Sequence, residues 1–436
     1  MKTPLRRSAF GHLWAAQTAS QFGANVTVVA LPLVGAVTLR ADALELGLLS
    51  AAGTLPHLLV SPFAGVWVDR HSRRRLLIGA DLVRAALLLA VPVAAVCRLL
   101  SLPLLAVLAL LIGAQGAVSD VGYSACLPTL VAPEDLARAN ARFELTASGA
   151  TIVGSSVGGV AVQMLTGPWA LLCNAAAYVV SALFTRRLPE TERVRRPEAP
   201  RQEAPRQENG AAREPDGART ALREEMRIGA AFVLRSRPLR AVTLATTVFN
   251  LFLFVSEPPL LVFLTHDLTL PASWIGTVYA ASGAGACAGA LVAGGVARRL
   301  GTTGTLFATL ALAGAAGLAV PAAVLAPAPA VPALVAGSHF VTSALVIVFN
   351  VTQRTLRTTL TPEELYGRVN ASIRTVVLGV APLGGLAGGW LGHRAGAPTA
   401  LLVGAVGMAG ACLLLLPLRT ALPRHTAVRT AGAARP

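Results

Sequence analysis

Long apolar segments recur along the chain, each about as long as a membrane is thick, and they constrain the fold more than any other feature. A helix needs roughly 20 mostly apolar residues to cross the hydrocarbon core of a bilayer. Apolar residues fill 54% of the 436 positions, and charged residues fill only 13%, about half the charged share of an ordinary soluble chain. A bilayer accommodates such a chain because lipid replaces water around its outer surface.

Twelve segments satisfy the length rule, and they fall into two sets of six. The first set covers residues 12–39, 46–68, 75–97, 101–123, 140–164 and 168–188. The second set covers residues 239–264, 273–297, 303–325, 331–352, 373–393 and 397–418. The sequence therefore predicts an all-α membrane protein whose twelve transmembrane helices form two six-helix bundles.

The distribution of arginines predicts the orientation of these spans. Cytoplasmic loops of membrane proteins carry an excess of Lys and Arg. With the first span entering from the inside, the inner loops hold most of the loop arginines, and the outer loops hold only Arg40, Arg98 and Arg394. We therefore expect both termini in the cytoplasm and the chain in the cell (inner or plasma) membrane. Because the basic residues cluster in these loops, the net charge of +16 does not indicate nucleic-acid binding.

A change of composition divides the chain. Residues 189–219 are rich in Pro, Arg, Glu, Gln and Gly, and such a segment buries too little apolar surface to fold. We expect it to be a disordered cytoplasmic linker after a first bundle at 1–188. Residues 220–418 then hold an amphipathic approach helix and the second bundle, and 419–436 form a cytoplasmic tail.

An internal repeat relates the two bundles. A Pro-Glu-acidic-Leu motif begins at Pro133 in the first half and at Pro362 in the second. The pairs that align downstream are Arg138 with Arg368, Asn140 with Asn370, Gly154 with Gly384, Gly158 with Gly388, and Gly159 with Gly389. Both copies have the same orientation, which predicts pseudo-symmetric bundles related by an axis along the membrane normal, an arrangement typical of transporters.

The loop after the second span carries a motif of charged residues. It contains Gly65, Asp69 with Arg70, and Arg73 with Arg74. This pattern resembles the G-x-x-x-D-R-x-G-R-R signature of the major facilitator superfamily, although Ser72 replaces its second glycine. The resemblance implies the major facilitator fold and a gating cluster that holds the two bundles together on the cytoplasmic side.

The charges of this loop suggest specific pairings. Asp69 can pair with Arg73, and Asp120 near the end of the fourth span is a second candidate partner for Arg73. Asp69 can also face the positive N-terminal end of a helix from the other bundle. The alternative is that the arginines only set the topology, which accounts for Arg74 but not for Asp69.

Two further segments resemble particular branches of this superfamily. Gly154, Gly158 and Gly159 in the fifth span resemble the G-P-x-x-G-G signature of drug/proton antiporters, with Ser155 in place of the proline. Close packing of helices explains these glycines as well. Residues 123–140 and the approach helix resemble the branch of enterobactin exporters and macrolide-efflux proteins. This resemblance implies export of a drug, antibiotic, siderophore or other natural product.

Three ionisable residues within the spans are candidates for proton coupling, because a charge in the membrane is costly unless it has a function or a partner. Glu257 lies in the seventh span before Pro258 and Pro259, and its alternative is a helix end that faces water. His339 is a second candidate, for which packing is the alternative. Asp81 is a third, although it shares a helix face with Arg84, so the two can form a structural pair instead.

Uncharged amides mark a possible substrate cavity. Gln17, Gln21 and Asn25 recur every four residues along the first span, so they form one polar stripe. Asn250 occupies a comparable depth in the seventh span. Helices 1 and 7 line the central cavity in the superfamily, which implies that these amides contact substrate, although they can also join helices by hydrogen bonds.

The sequence thus favours a secondary transporter that exports a small molecule by proton antiport with alternating access. The alternative is a transport-inactive sensor or scaffold of the same fold. An enzyme is not expected, because the chain lacks a phosphate loop, a nucleophile motif and a metal-ligand cluster. The expected partners are a small-molecule substrate, protons and the lipid bilayer. We expect a monomer without nucleic acid, metal or cofactor.

Overall fold

The computed structural model describes residues 4–70, 72–131, 167–188 and 227–418, with isolated positions between 135 and 165. Within these residues the chain is helical and contains no strand. Eleven main helices are α1 Pro4–Leu33, α2 Ala43–Arg70, α3 Arg73–Val96, α4 Leu102–Leu130, α5 Leu171–Arg186, α6 Arg237–Val262, α7 Ala272–Gly317, α8 Val331–Leu360, α9 Glu363–Gly379, α10 Ala381–Ala395 and α11 Ala397–Gly410.

Ten segments of the described residues are long and apolar enough to cross a membrane. One of them, Ser273–Leu325, contains both the eighth and the ninth predicted spans. The backbone leaves helical geometry there at Gly301, whose φ of 68° suits a residue without a Cβ. The fifth predicted span, 140–164, lies mostly outside the described residues, as do the linker at 189–219 and the tail at 419–436. The count of twelve spans therefore stays a prediction, whereas the all-helical membrane fold is confirmed.

The approach helix is described from residue 227 and remains helical to residue 235. Gly229 lies against the carbonyl oxygen of Arg368, so closely that a Cβ at this position would approach that atom to 2.4 Å. Val233 is buried in a cluster with Leu239 and Val369. This part of the approach helix therefore packs on α9 of the second bundle.

The ends of α1 and α6 show the predicted repeat at the level of the backbone. Each helix finishes in a π-helical turn, at Val34–Thr38 and at Phe263–Asp267. Two positions after each turn the backbone adopts a positive φ, which is 52° at Arg40 and 49° at Thr269. One constant offset relates all these positions, so the two turns are equivalent elements of the two halves.

Glycine contacts extend the same repeat. The position of a Cβ on Gly154 lies 3.1 Å from the carbonyl oxygen of Phe22, and on Gly384 it lies 2.7 Å from that of Leu251. Four residues further along, Gly158 faces the carbonyl of Val26 and Gly388 faces that of Val255. The partners on α1 and α6 are related by the offset of the π-helical turns. The glycines that the sequence aligned therefore pack against equivalent positions of the two halves.

The two halves meet tightly at one end of the bundle, which we call the closed end. Gly47 on α2 and Gly389 on α10 face each other, and a Cβ on Gly47 would approach the Cα of Gly389 to 3.0 Å. A buried apolar cluster at this end combines residues of both halves, among them Leu46, Phe263 and Ile275. Close helix contact through small residues is the usual way in which membrane helices associate.

Two histidines add hydrogen bonds between the halves at the closed end. The Nδ1 atom of His393 lies 2.8 Å from a carboxylate oxygen of Asp42, and both side chains are about half exposed. The Nε2 atom of His266 lies 3.3 Å from the carbonyl oxygen of Ala36. No other hydrogen bond between the halves is found among the described residues. The opposite end, which we call the arginine end, carries Arg73 and Arg74.

Candidate functional site

A cavity of about 420 Å³ lies between the two halves. The first half lines it with residues of α1 to α5, and the second half lines it with residues of α6 and α7. Its volume falls within the range of small-molecule sites, roughly 300–1,000 Å³. Among the described residues of the second half, Glu257, Pro258, Leu261 and Tyr279 line the cavity. The cavity is therefore shared by both halves, but its wall is formed mainly by the first.

Ionisable side chains of the first half gather on one wall of the cavity. His57, Arg84 and Asp120 all line it. Arg84 and His57 meet at Gly116, where a Cβ would lie 2.9 Å from Nη2 of Arg84 and 3.2 Å from Nε2 of His57. A side chain at position 116 would require the ends of Arg84 and His57 to move.

The second candidate pairing, of Asp120 with Arg73, is not found among the described residues. The side chain of Asp120 is exposed to the cavity, and the ion pairs of the described residues do not include Arg73 with Asp120. Arg73 instead donates a hydrogen bond of 2.9 Å to the carbonyl oxygen of Ala125, further along α4. The reason is the direction of α4, on which Asp120 faces the cavity while the carbonyl of Ala125 faces α3.

Asp81 and Arg84 share one face of α3, as the sequence predicts, and both are buried. Their closest atoms are 3.9 Å apart, which is longer than a hydrogen bond. Asp81 also accepts a hydrogen bond from Ser181, and Asp81 does not line the cavity. Arg84 does line it, and its guanidinium stacks over Tyr178 with 5.1 Å to the ring centroid.

Glu257 is the charged residue that the described part of the second half contributes to the cavity. Its side chain is exposed to that space. Tyr279 lines the same wall and interacts electrostatically with Glu257. Neither a hydrogen bond nor an ion pair to Glu257 is found among the described residues. Helix α6 continues past Pro258 and Pro259 to Val262, so the two prolines do not end the helix.

The four amides predicted for the cavity divide into two groups. Gln17 and Gln21 line the cavity. Asn25 and Asn250 are not among its lining residues, and each donates a hydrogen bond to a backbone carbonyl of its own helix, at Gln21 and at Thr246. His339 is half-buried on α8 and does not line the cavity either.

The gating loop is described only in part. Helix α2 continues through Gly65 and Asp69 to Arg70, but the side chains of these residues lie outside the description. Arg74 donates a hydrogen bond to the carbonyl oxygen of Arg186 at the end of α5. In the fifth span, Gly154 and Gly158 are described and Gly159 is not.

The sequence analysis did not identify all of the residues that line this wall of the cavity. His57 is an ionisable residue in the second span, so the signal that singled out Glu257 was present there too. Arg84 was placed correctly beside Asp81 but was not expected to reach the cavity. Tyr178 and Tyr279 gave no signal, because a single tyrosine in an apolar helix is ordinary.

The arrangement suits binding of an amphipathic molecule. The cavity offers apolar walls, hydroxyl and amide groups, and charges of both signs. No cluster of three or more metal-ligating side chains occurs in the described part of the chain.

Curated relatives of this chain include efflux proteins. Multidrug efflux pump Tap of Mycolicibacterium fortuitum is 28% identical, over 94% of this chain and 95% of the relative. Macrolide efflux protein A of Streptococcus pyogenes is 35% identical over 77 residues, which is 18% of this chain and 19% of the relative.

Solved structures show the same fold at low identity. A bacterial homologue of the iron transporter ferroportin in an inward-facing state superposes with a TM-score of 0.72 at 15% identity, over 95% of this chain and 99% of that one. Such a homologue in an outward-facing state gives a TM-score of 0.58 at 16% identity, over 94% and 99%. The family model described as Major Facilitator Superfamily matches residues 13–384. This multi-pass membrane protein with the major facilitator fold therefore belongs to the Major Facilitator Superfamily, a family of transporters.

Proposed function

We propose that the protein exports a small amphipathic molecule across the cell membrane in exchange for protons, and that Glu257 carries the proton. The observation that carries this proposal is the position of Glu257 in a cavity shared by both halves. Its carboxylate has no cationic partner among the described residues. The likeness to multidrug efflux pump Tap over nearly the whole chain supports export of a drug, antibiotic, siderophore or other natural product.

Exchange follows if the proton and the substrate stabilise different states of the transporter. A basic group of the substrate competes with the proton for the carboxylate of Glu257. Protonation from the acidic outside then releases the substrate, and the returning cavity releases the proton into the cytoplasm. The chain needs no nucleotide site for this cycle, because the ion gradient supplies the free energy.

The contacts at the closed end support an inward-facing state for this structure. The interface of α2 with α10 and both histidine contacts lie at that end. We infer that the closed end faces the outside and that the arginine end faces the cytoplasm, as the distribution of arginines predicts.

Cys97 offers a test of this orientation, because it ends α3 at the closed end and is exposed. Cys173 is exposed as well, so the test uses the Cys173→Ser variant as its background. In that background a membrane-impermeant maleimide should label Cys97 in intact cells, and Cys97→Ser should remove that label. Labelling of Cys97 only after the cells are opened would reverse the orientation.

Glu257→Gln tests the coupling, because it removes the titrating carboxyl and keeps the shape of the side chain. In inverted vesicles the variant should lose uphill transport driven by a pH gradient and should keep downhill exchange of substrate. Val28 occupies the equivalent position of the first half and also lines the cavity. Val28→Gln is therefore the matched control, and it should keep uphill transport.

Three results would count against the proposal. If Glu257→Gln still concentrates substrate, the carrier is another group, and His339 or Asp81 becomes the next to test. If an uncoupler has no effect on the unmutated protein, proton coupling is wrong. If no compound from a panel of antibiotics and siderophores is moved, the sensor or scaffold alternative gains.

A further inference from the structure

Arg84 is buried beside the cavity with fewer partners than a guanidinium can use. Only 6% of the residue is exposed, yet it lines the cavity. A guanidinium offers five N–H donors. Among the described residues, Nη1 reaches Ser20 at a weak 3.4 Å, and Nε has no hydrogen-bond partner.

The carboxylate that shares a face of α3 with Arg84 forms no hydrogen bond with it. Asp81 lies 3.9 Å away, and its Oδ1 atom is buried without a hydrogen-bond partner. Asp81 uses its other oxygen to accept a hydrogen bond from Ser181. Stacking on Tyr178 stabilises the cation but satisfies none of its donors. A buried charge with unmet donors is costly, so the site favours an acceptor that enters from the cavity.

We propose that Arg84 recognises an acidic or enolate oxygen of the substrate while Glu257 on the opposite half recognises a cationic or basic nitrogen group. The substrate class is then an amphiphile that carries both groups. This inference rests on the proposed export function and deepens it, because it names the chemistry that the same cavity selects.

The two recognition points belong to different halves of the transporter. Arg84 lies on α3 in the first half and Glu257 on α6 in the second. A molecule that binds both makes contacts that depend on how the halves are arranged, and such differential contacts are what shifts a conformational equilibrium. A compound that carries only the basic group contacts Glu257 and leaves the donors of Arg84 unmet.

Two dyes provide a matched pair of probes. Tetramethylrhodamine carries a cationic ring system and a free carboxylate, and its methyl ester carries the same ring system without the acid. Binding is measured by fluorescence anisotropy on the full chain in nanodiscs, with empty nanodiscs subtracted. We expect the free acid to bind about tenfold more tightly than the ester, the effect of one charge-assisted hydrogen bond.

The variant removes both charges of the α3 pair, because Arg84→Gln alone leaves Asp81 buried without a cation. In Asp81→Asn/Arg84→Gln, the acid should bind no better than the ester, and the affinity for the ester should stay within about twofold of the original. Glu257→Gln should weaken both dyes alike. Arg298→Gln removes an exposed arginine at the arginine end and should keep the tenfold preference.

Each other outcome overturns the inference. If the unmutated protein binds acid and ester equally, water rather than the substrate accepts the remaining hydrogen bonds of Arg84. If Asp81→Asn/Arg84→Gln still binds the acid more tightly than the ester, another group causes the preference. Absence of binding by both dyes excludes the stated class. None of these results tests the proposal of export. That proposal is contradicted only if the protein transports no compound of the antibiotic and siderophore panel in the vesicle assay.

Discussion

In the first half of the transporter, the cavity wall carries His57, Arg84 and Asp120, whereas the described part of the second half contributes one charged side chain, Glu257. The backbones of the two halves match closely at the same depth. Val28 occupies the position that corresponds to Glu257, and both line the cavity. The repeat therefore gives the two halves equivalent backbones, and the cavity is asymmetric because the side chains at equivalent positions differ.

The packing of the halves differs as well. A Cβ on Gly158 would lie 3.2 Å from the carbonyl oxygen of Val26, whereas a Cβ on Gly388 would clash with the carbonyl oxygen of Val255. The second half therefore brings α10 and α6 closer together than the first half brings the equivalent helices. Adding one methyl group to the equivalent glycine of each half tests this difference in packing.

The largest expected effect is that of Gly388→Ala. Its new methyl group would meet a backbone carbonyl, which no side-chain rotation can relieve, so α6 and α10 must separate. We expect a loss of about 3 kcal/mol of stability, seen as a lower unfolding midpoint and a smaller yield of monodisperse protein in detergent. Gly158→Ala is the matched change, and it should cost less than about 1 kcal/mol. Equal costs would mean that the halves are packed alike.

The charged pair on α3 gives the next largest effect. Asp81→Asn leaves the buried guanidinium of Arg84 without its nearest anion, and the expected cost is about 2 kcal/mol of stability. Asp81→Asn/Arg84→Gln removes both charges and should recover most of that loss. Thermal unfolding of the purified variants measures both changes. A double variant that is less stable than the single one would show that each charge is satisfied by a different partner.

The sequence predicted the helical architecture and the repeat because both follow from local patterns. Apolar length defines the spans, and the aligned glycines Gly158 and Gly388 are visible as spacing. It also placed Glu257, Gln17 and Gln21 at residues that line the cavity. The contact of Arg73 with the carbonyl oxygen of Ala125 shows the limit of this reasoning. Which side of α4 carries Asp120 depends on how α4 is rotated against its neighbours, and no loop motif contains that information.

For a similar reason, the sequence did not predict that Arg84 lines the cavity. The i, i+3 spacing from Asp81 indicates a shared helix face but not whether that face ends at a cavity. The contact of Arg84 with Gly116 depends on the absence of a side chain on another helix. Such pairs of a large residue and a glycine become apparent only when the helices are packed.

The gating loop provides a smaller effect and a further comparison of the halves. The first half has Asp69 before its arginines, whereas the second half has Arg298 and Arg299 without an acidic residue. We expect Asp69→Asn to lower the rate of transport about tenfold, equivalent to about 1.4 kcal/mol, while the amount of protein in the membrane stays the same. Arg298→Gln should change the rate less than twofold, by the small effect of an exposed charge. Unchanged transport in Asp69→Asn would leave this loop with a topological role only.

The smallest expected effect concerns the ion pair of Asp42 with His393 at the closed end. Asp42 has two functions there, because it also caps α2 through reciprocal hydrogen bonds with Glu45. Asp42→Asn separates these functions, since Asn caps a helix about as well as Asp but brings no negative charge to its contact with His393. Both side chains are about half exposed, so the pair contributes less than about 1 kcal/mol.

A change of this size shifts the balance between inward-facing and outward-facing states by at most about fivefold. The shift should favour the outward-facing state, because the contact exists only while the closed end is shut. Double electron–electron resonance between labels on α2 and α10 measures the two populations. The control is Glu45→Gln, which keeps both Asp42 and His393 and should leave the populations unchanged. A larger inward-facing population in Asp42→Asn would show that the pair holds the closed end apart rather than together, and the glycine contact of Gly47 with Gly389 would then account for closure alone.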